Sequence, residues 1–139
     1  MAEAAHRATL EAANEAYYTA FESADLDAME ALWLDDPDTV CVHPGQPPVR
    51  GTGPIRRSWA LVMANTPYIQ FFLTDVQTSV RGGVGTVTCT ENVLTADENT
   101  GPDAFGGTKA VATNVFVHGE GGWRLWIHHA SPVLSRTQT

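Results

Sequence analysis

Two adjacent histidines, His128 and His129, lie in the stretch Gly121–Pro132, which reads Gly-Gly-Trp-Arg-Leu-Trp-Ile-His-His-Ala-Ser-Pro. Imidazole is the side chain best suited to take and return a proton near neutral pH. Aromatic and branched residues between a Gly-Gly turn and a proline predict a strand. A strand sends alternate side chains to opposite faces, so the two histidines point opposite ways and cannot form one bidentate site. On strict alternation Trp123, Leu125, Ile127, His129 and Ser131 share one face, and Arg124, Trp126, His128 and Ala130 the other. Both faces carry bulky apolar groups, so both are expected to be covered.

Other groups with chemical capacity are scattered. Cys89 and Glu91 share a strand face with Val87. If that face is inward, Glu91 is a buried carboxylate with a raised pKa, able to act as acid or base. If it is outward, Glu91 is one more surface or interface charge. His43 stands just before Pro44 at the end of a short strand. The ligand types of His43, His129, Cys41, Cys89 and Glu91 would permit a metal, but none of the short spacings of dedicated sites occurs, so no metal site is read. Gly82-Gly83 and Gly106-Gly107 read as turn glycines, since neither pair links a strand to a helix as a phosphate loop does. Arg56-Arg57 reads as a solvated helix face.

These residues need elements to position them. Residues from about Glu3 to Ser23 predict a helix, with Leu10, Ala13, Tyr17 and Phe21 forming one apolar stripe. Asp25 is a plausible N-cap for a short second helix that buries Leu26, Met29, Leu32 and Trp33. Thr39–His43 is a short strand and Pro44–Pro48 a rigid loop. Gly51-Thr52-Gly53-Pro54 starts a third helix, proline at its first position, with Ile55, Trp59, Val62 and Met63 on its apolar side and its end near Asn65. Ile69–Val80 and Val84–Ala96 form a hairpin about Arg81-Gly82-Gly83. Asp97–Gly107 is a polar loop, Thr108–His118 a third long strand, and Ser135–Thr139 a tail. Helices followed by an antiparallel meander predict an α+β domain spanning residues 1–139, with the helices packed on one face of a curved sheet.

Composition narrows the classes of function. The chain has 139 residues, 43% hydrophobic and 17% charged, as an ordinary globular domain does. A net charge of −8 argues against nucleic acid or an anionic membrane as partner. No apolar run is long enough to span a bilayer, and the alanine-rich start, with Glu3, Glu11 and Glu15, does not read as a secretory signal. Cys41 and Cys89, far apart on predicted strands, suggest free thiols in a reducing compartment, and the expected location is cytoplasmic.

The order of these pieces resembles the nuclear transport factor 2-like superfamily and, within it, the SnoaL-like proteins. Asp25-Leu26-Asp27, Leu32-Trp33, His43-Pro44, Arg50-Gly51, Trp123-Arg124-Leu125 and His129-Ala130-Ser131 carry the resemblance, over nearly the whole chain. It implies a cone: a strongly bent antiparallel sheet wrapping three helices, as in the cystatin-like roll, with a pocket at its open end. It also implies a homodimer through the outer sheet face, which Trp126 and His128 would line. Compared with ketosteroid isomerase, whose base is an aspartate before a proline, His43 stands at the base position. Tyr17 matches one oxyanion donor and Asn114 the second. The resemblance turns His129 toward the pocket, where it would form a paired site with His43.

Those roles are chemically coherent. A histidine can remove a proton from carbon next to a carbonyl, and Tyr17 and Asn114 can donate hydrogen bonds to the developing oxyanion. Trp33, Trp59, Cys41, Glu91, Ile127 and Ser131 are the expected substrate contacts. The resulting expectation is a pocket for a small apolar organic ligand, serving an acid–base isomerase, cyclase or dehydratase that needs no cofactor. A non-catalytic ligand-binding domain and a pure association module are the alternatives, because one fold hosts unrelated activities.

Overall fold

In the computed structural model, residues 2–96 and 105–134 are described. The order of elements is α1 (Ala2–Glu22), α2 (Leu26–Leu32), β1 (Val40–Val42), β2 (Val49–Arg50), α3 (Thr52–Ala64), β3 (Ile69–Arg81), β4 (Val84–Ala96), β5 (Phe105–Gly119) and β6 (Gly122–Pro132). Three helices and a six-stranded sheet make an α+β fold, in the sheet order β2-β1-β6-β5-β4-β3. The two ends of that order do not pair, so the sheet is curved but not closed.

Helix α1 follows from its stripe. Leu10, Tyr17, Tyr18 and Ala20 are buried against β3, β4 and β6, and Asn14 is buried in the same stripe. Ala24 takes a left-handed conformation (φ 53°) that ends α1, and Asp25 caps α2 by accepting from Ala28 N at 3.0 Å. Helix α3 begins after Gly51, whose φ of 89° suits glycine, and Pro54 is its third residue rather than its first. Thr52 Oγ1 ties that start to the end of α2 by accepting from Asp36 N and donating to Asp35 Oδ1.

The long strands β3 to β6 run antiparallel through hairpins, as expected, with Gly82 (φ 56°) in the first turn. The sheet as a whole is mixed, however, because β1 pairs parallel to β6, with Cys41 opposite His128 and Val42 opposite His129. Strand β2, between the expected loop Pro44–Pro48 and the expected helix start at Gly51, pairs antiparallel with β1. The expected loop at 97–107 is strand from Phe105 onward, and its remainder, like the tail at 135–139, lies outside the described residues. No helix among the described residues is long and apolar enough to cross a membrane.

Two irregularities bend the sheet. In β3 the register shifts between Thr74 and Gln77, where Asp75 is left-handed (φ 52°). In β6 it shifts at Trp126: Val115 and Phe116 are consecutive on β5, yet their partners Ile127 and Leu125 flank an extra residue. Such a bulge turns every later side chain to the opposite face.

Candidate functional site

A cavity of about 370 Å3 opens at one end of the sheet. Tyr17 and Phe21 of α1, Trp59 and Val62 of α3, Phe71 of β3 and Val93 of β4 form apolar walls. His43, Glu91 and His128 supply ionisable groups, and the exposed Lys109 also borders the cavity. Each arrives by a local rule. Tyr17 and Phe21 are one turn apart on α1. His43 directly follows β1, and the parallel pairing of β1 with β6 brings it to the same end as His128. Glu91 pairs with Ala110, and both face inward.

His128 therefore occupies the place that strict alternation assigned to His129. The Trp126 bulge reverses the faces, so His128 is 2% exposed inside the fold while His129 lies exposed on the other side. Ile127 and Ser131 go with His129 to the outer face, and neither lines the cavity. The expected pairing of His43 with His129 is overturned, and the two imidazoles that share the cavity are His43 and His128. Trp33 is also displaced from the site, bordering a crevice of about 10 Å3 with Leu26, Met29, Ile55 and Trp59. Cys41 is buried behind the cavity wall, its sulfur 3.7 Å from His43 Nε2. Tyr17, Trp59 and Glu91 do line the cavity.

The hydrogen bonds give each imidazole a direction. Ser58 Oγ gives its one proton to Ile55 O at 2.8 Å, so toward His43 Nε2, 3.2 Å away, it acts as acceptor. This bonding pattern assigns the hydrogen of neutral His43 to Nε2 and the lone pair to Nδ1. His128 Nδ1 lies 2.5 Å from Asn114 Oδ1. Asn114 Nδ2 donates to Asn14 Oδ1 at 2.8 Å and to the Tyr18 hydroxyl at 3.4 Å. Both amide hydrogens of Asn114 are thus committed inside the fold. Asn114 is not placed to donate to a substrate oxyanion, contrary to expectation, and it does not line the cavity.

Burial sets the protonation states. It pushes His128 down to about 3, helped by the nearby His43 and His129, and it also lowers His43. Both imidazoles are therefore neutral at pH 7. Burial lifts the Glu91 carboxyl above its usual range, while the bond from the Tyr18 hydroxyl at 2.6 Å pulls the other way. Burial keeps Tyr17 protonated far above neutral pH, with Cys41 and Tyr18 adding to the effect. The Cys41 thiol rises to about 12 and is inert at neutral pH. The Trp59 indole N–H lies close enough to Cys41 to favour its thiolate slightly, yet it makes no hydrogen bond of normal geometry. Among the described residues, no hydrogen-bond partner is found for His128 Nε2, His43 Nδ1 or the Tyr17 hydroxyl.

Asn14 and Tyr18 are the site-supporting residues that the sequence reading missed. Their signal was present: an asparagine and a tyrosine at positions 14 and 18 continue the spacing of Leu10, Tyr17 and Phe21, so they belong to the buried side of α1.

Comparison with known proteins agrees with this architecture. A crystal structure of a nuclear transport factor 2-like family protein from Streptomyces avermitilis, named a candidate dehydratase, is 48% identical; the match covers 91% of this chain and 95% of that one, with a TM-score of 0.82. A candidate calcium/calmodulin-dependent protein kinase type II association domain from Thiobacillus denitrificans is 30% identical over 89% of this chain and 94% of that one, with a TM-score of 0.76. A nuclear transport factor 2-like superfamily protein from Salmonella enterica shares the fold at 18% identity, covering 98% and 96% of the two chains with a TM-score of 0.84. No curated protein matches the chain. The SnoaL-like domain family matches residues 10–135, nearly the full length, and with the helices, curved sheet and end-on cavity described above this chain belongs to that family.

Proposed function

We propose that the protein is an acid–base enzyme acting on a small, neutral, largely apolar carbonyl compound, and that its reaction is a dehydration of the β-hydroxy carbonyl type. The observation that carries this reading is the convergence of two uncharged imidazoles, each with one ring nitrogen unpartnered among the described residues, on one mostly apolar cavity. Its volume is at the small end of ligand pockets, roughly 300–1,000 Å3. The 48% identity to a candidate dehydratase supports the choice of reaction.

In this reading His128 Nε2 removes the proton on the carbon beside the carbonyl, and the Tyr17 hydroxyl donates to the oxygen as it gains charge. The imidazolium keeps its Nδ1–H on Asn114 Oδ1. As the enolate collapses, the bond to the β-oxygen breaks and that oxygen leaves as water, carrying the proton from Nε2. His43 is the second base within the cavity. Protonation of one imidazole disfavours protonation of the other, so a single proton circulates.

The test is deuterium incorporation. Small ketones and β-hydroxy ketones incubated with the protein in D2O should exchange their α-protons, and the hydroxy compounds should lose water. His128→Ala or His43→Ala should slow this by roughly 10²–10⁴ if the altered group is the base. Binding of such a ketone without any exchange would leave a ligand-binding domain instead.

We also propose a homodimer through the outer sheet face. Phe72 and Val111 are exposed there, next to the exposed Val133 and Leu134, and Ile127 lies on the same face. A lone sheet with that apolar surface favours a partner.

A further inference from the structure

Two buried side chains that do not border the cavity, Tyr18 and Asn114, connect Glu91 to His128, and a third, Asn14, bonds to Asn114. Tyr18, Asn14 and Asn114 are 4%, 2% and 0% exposed. The direction of each bond follows from counting hydrogens. Tyr18 has one hydroxyl proton, and it goes to Glu91 Oε2. Its oxygen can then only accept from Asn114, so Nδ2 is the end of the amide that faces it. The other Nδ2 hydrogen goes to Asn14 Oδ1. Asn114 must therefore present Oδ1 to His128, and an acceptor there requires hydrogen on Nδ1. A neutral imidazole has one N–H, so the lone pair falls on Nε2.

We propose that Tyr18, Asn14 and Asn114 are positioning residues that hold neutral His128 in its Nδ1–H tautomer, so that Nε2 is the ring's basic nitrogen. Turning the Asn114 amide over would bring Nδ2 against Nδ1 and force the hydrogen onto Nε2. It would also set Asn114 Oδ1 against the Tyr18 oxygen, two acceptors in contact unless Tyr18 released Glu91. Among side chains this deeply buried, such a mismatch carries the desolvation penalty of the unpaired groups. Glu91 thus acts on His128 without touching it, by fixing the direction of a chain of hydrogen bonds. The proposal rests on the acid–base reading for its consequence in catalysis; the tautomer itself is independent of that reading.

The experiment uses the full chain, 15N-labelled, and long-range 1H–15N correlation of the histidine ring nitrogens at pH 7. His128 should appear as the Nδ1–H tautomer. Tyr18→Phe keeps the ring but removes the hydroxyl, and Asn14→Leu removes the acceptor for Asn114. Each should shift the tautomer ratio toward Nε2–H by roughly five- to tenfold, the worth of one buried hydrogen bond. Asn114→Asp should retain Nδ1–H, because a carboxylate still accepts. The signals of His6 and His118, which pack with Trp123 away from this chain of bonds, report whether each variant is folded. If Asn14→Leu does not fold, Tyr18→Phe decides. An Nε2–H tautomer in the unaltered protein, or an unchanged ratio in Tyr18→Phe, would overturn the proposal. An Nδ1–H tautomer in a protein that exchanges no ketone proton would sink the enzyme reading and leave this one standing.

Discussion

His128 carries the largest consequence of burial at a single residue. Its pKa is lowered to about 3 from an ordinary 6.5, so between those values the unfolded chain binds a proton that the folded chain does not. Stability is then complete above about pH 6.5 and falls as the pH drops toward 3. Between pH 7 and 5 the loss from this one group should be about 2 kcal/mol. His43 adds to it in the same direction, whereas Glu91, with its raised pKa, opposes it above the ordinary carboxylate range. Urea midpoints at pH 7 and pH 5 should show the loss, and His128→Asn should show a smaller one; an equal loss in both would mean that His128 is not the group responsible. In the sequence a histidine and a tyrosine already point to a shared cavity, while Glu91 is left open between an inward and an outward face. The sequence could not disclose which of two neighbouring histidines, because the answer depends on one extra residue at Trp126. Nor could it show that Asn114 spends its hydrogens on Asn14 and Tyr18, since that requires knowing how α1 lies against β5.

At the scale of elements, the strands and helices were legible because their periodicities are strong. The bulge was not, because an inserted residue leaves no mark when both neighbours are apolar. Strand β2 was also hidden, being two residues long and defined by its pairing with β1. The packing of α1 on β4 depends on Gly85: a Cβ there would lie 2.8 Å from Leu10 Cδ2 and 3.1 Å from Trp123 Cη2. Gly85→Ala should cost about 1–3 kcal/mol through overpacking, measured by chemical denaturation. Trp123→Ala removes a buried ring whose Nε1 donates to Thr9 Oγ1, and should cost about 3–5 kcal/mol. A loss below about 1 kcal/mol for Trp123→Ala would mean that the ring does not anchor β6 to α1.

For the molecule as a whole, the fold class followed from helices preceding long strands, while the mixed character of the sheet did not, because a three-residue strand gives no clue to its partner. In the proposed homodimer the outer face has a changed cast: His129 and Ile127 stand there in place of His128. Light scattering at micromolar concentration should give a dimer mass, and Phe72→Lys should shift it toward monomer. A stable monomer of the unaltered protein would remove the case for sheet-to-sheet association.

The parallel pairing of β1 with β6 has a consequence in time. Strands β3 to β6 can zip together through local turns, each adding little loop entropy. Cys41 and His128, by contrast, meet only after most of the chain lying between them has been ordered. Contacts of such sequence separation form late and slowly. In a refolding experiment, amide protection in the β3–β4 hairpin should appear before the histidine ring signals of His43 and His128 take their native positions, so the cavity would form after the sheet that carries it.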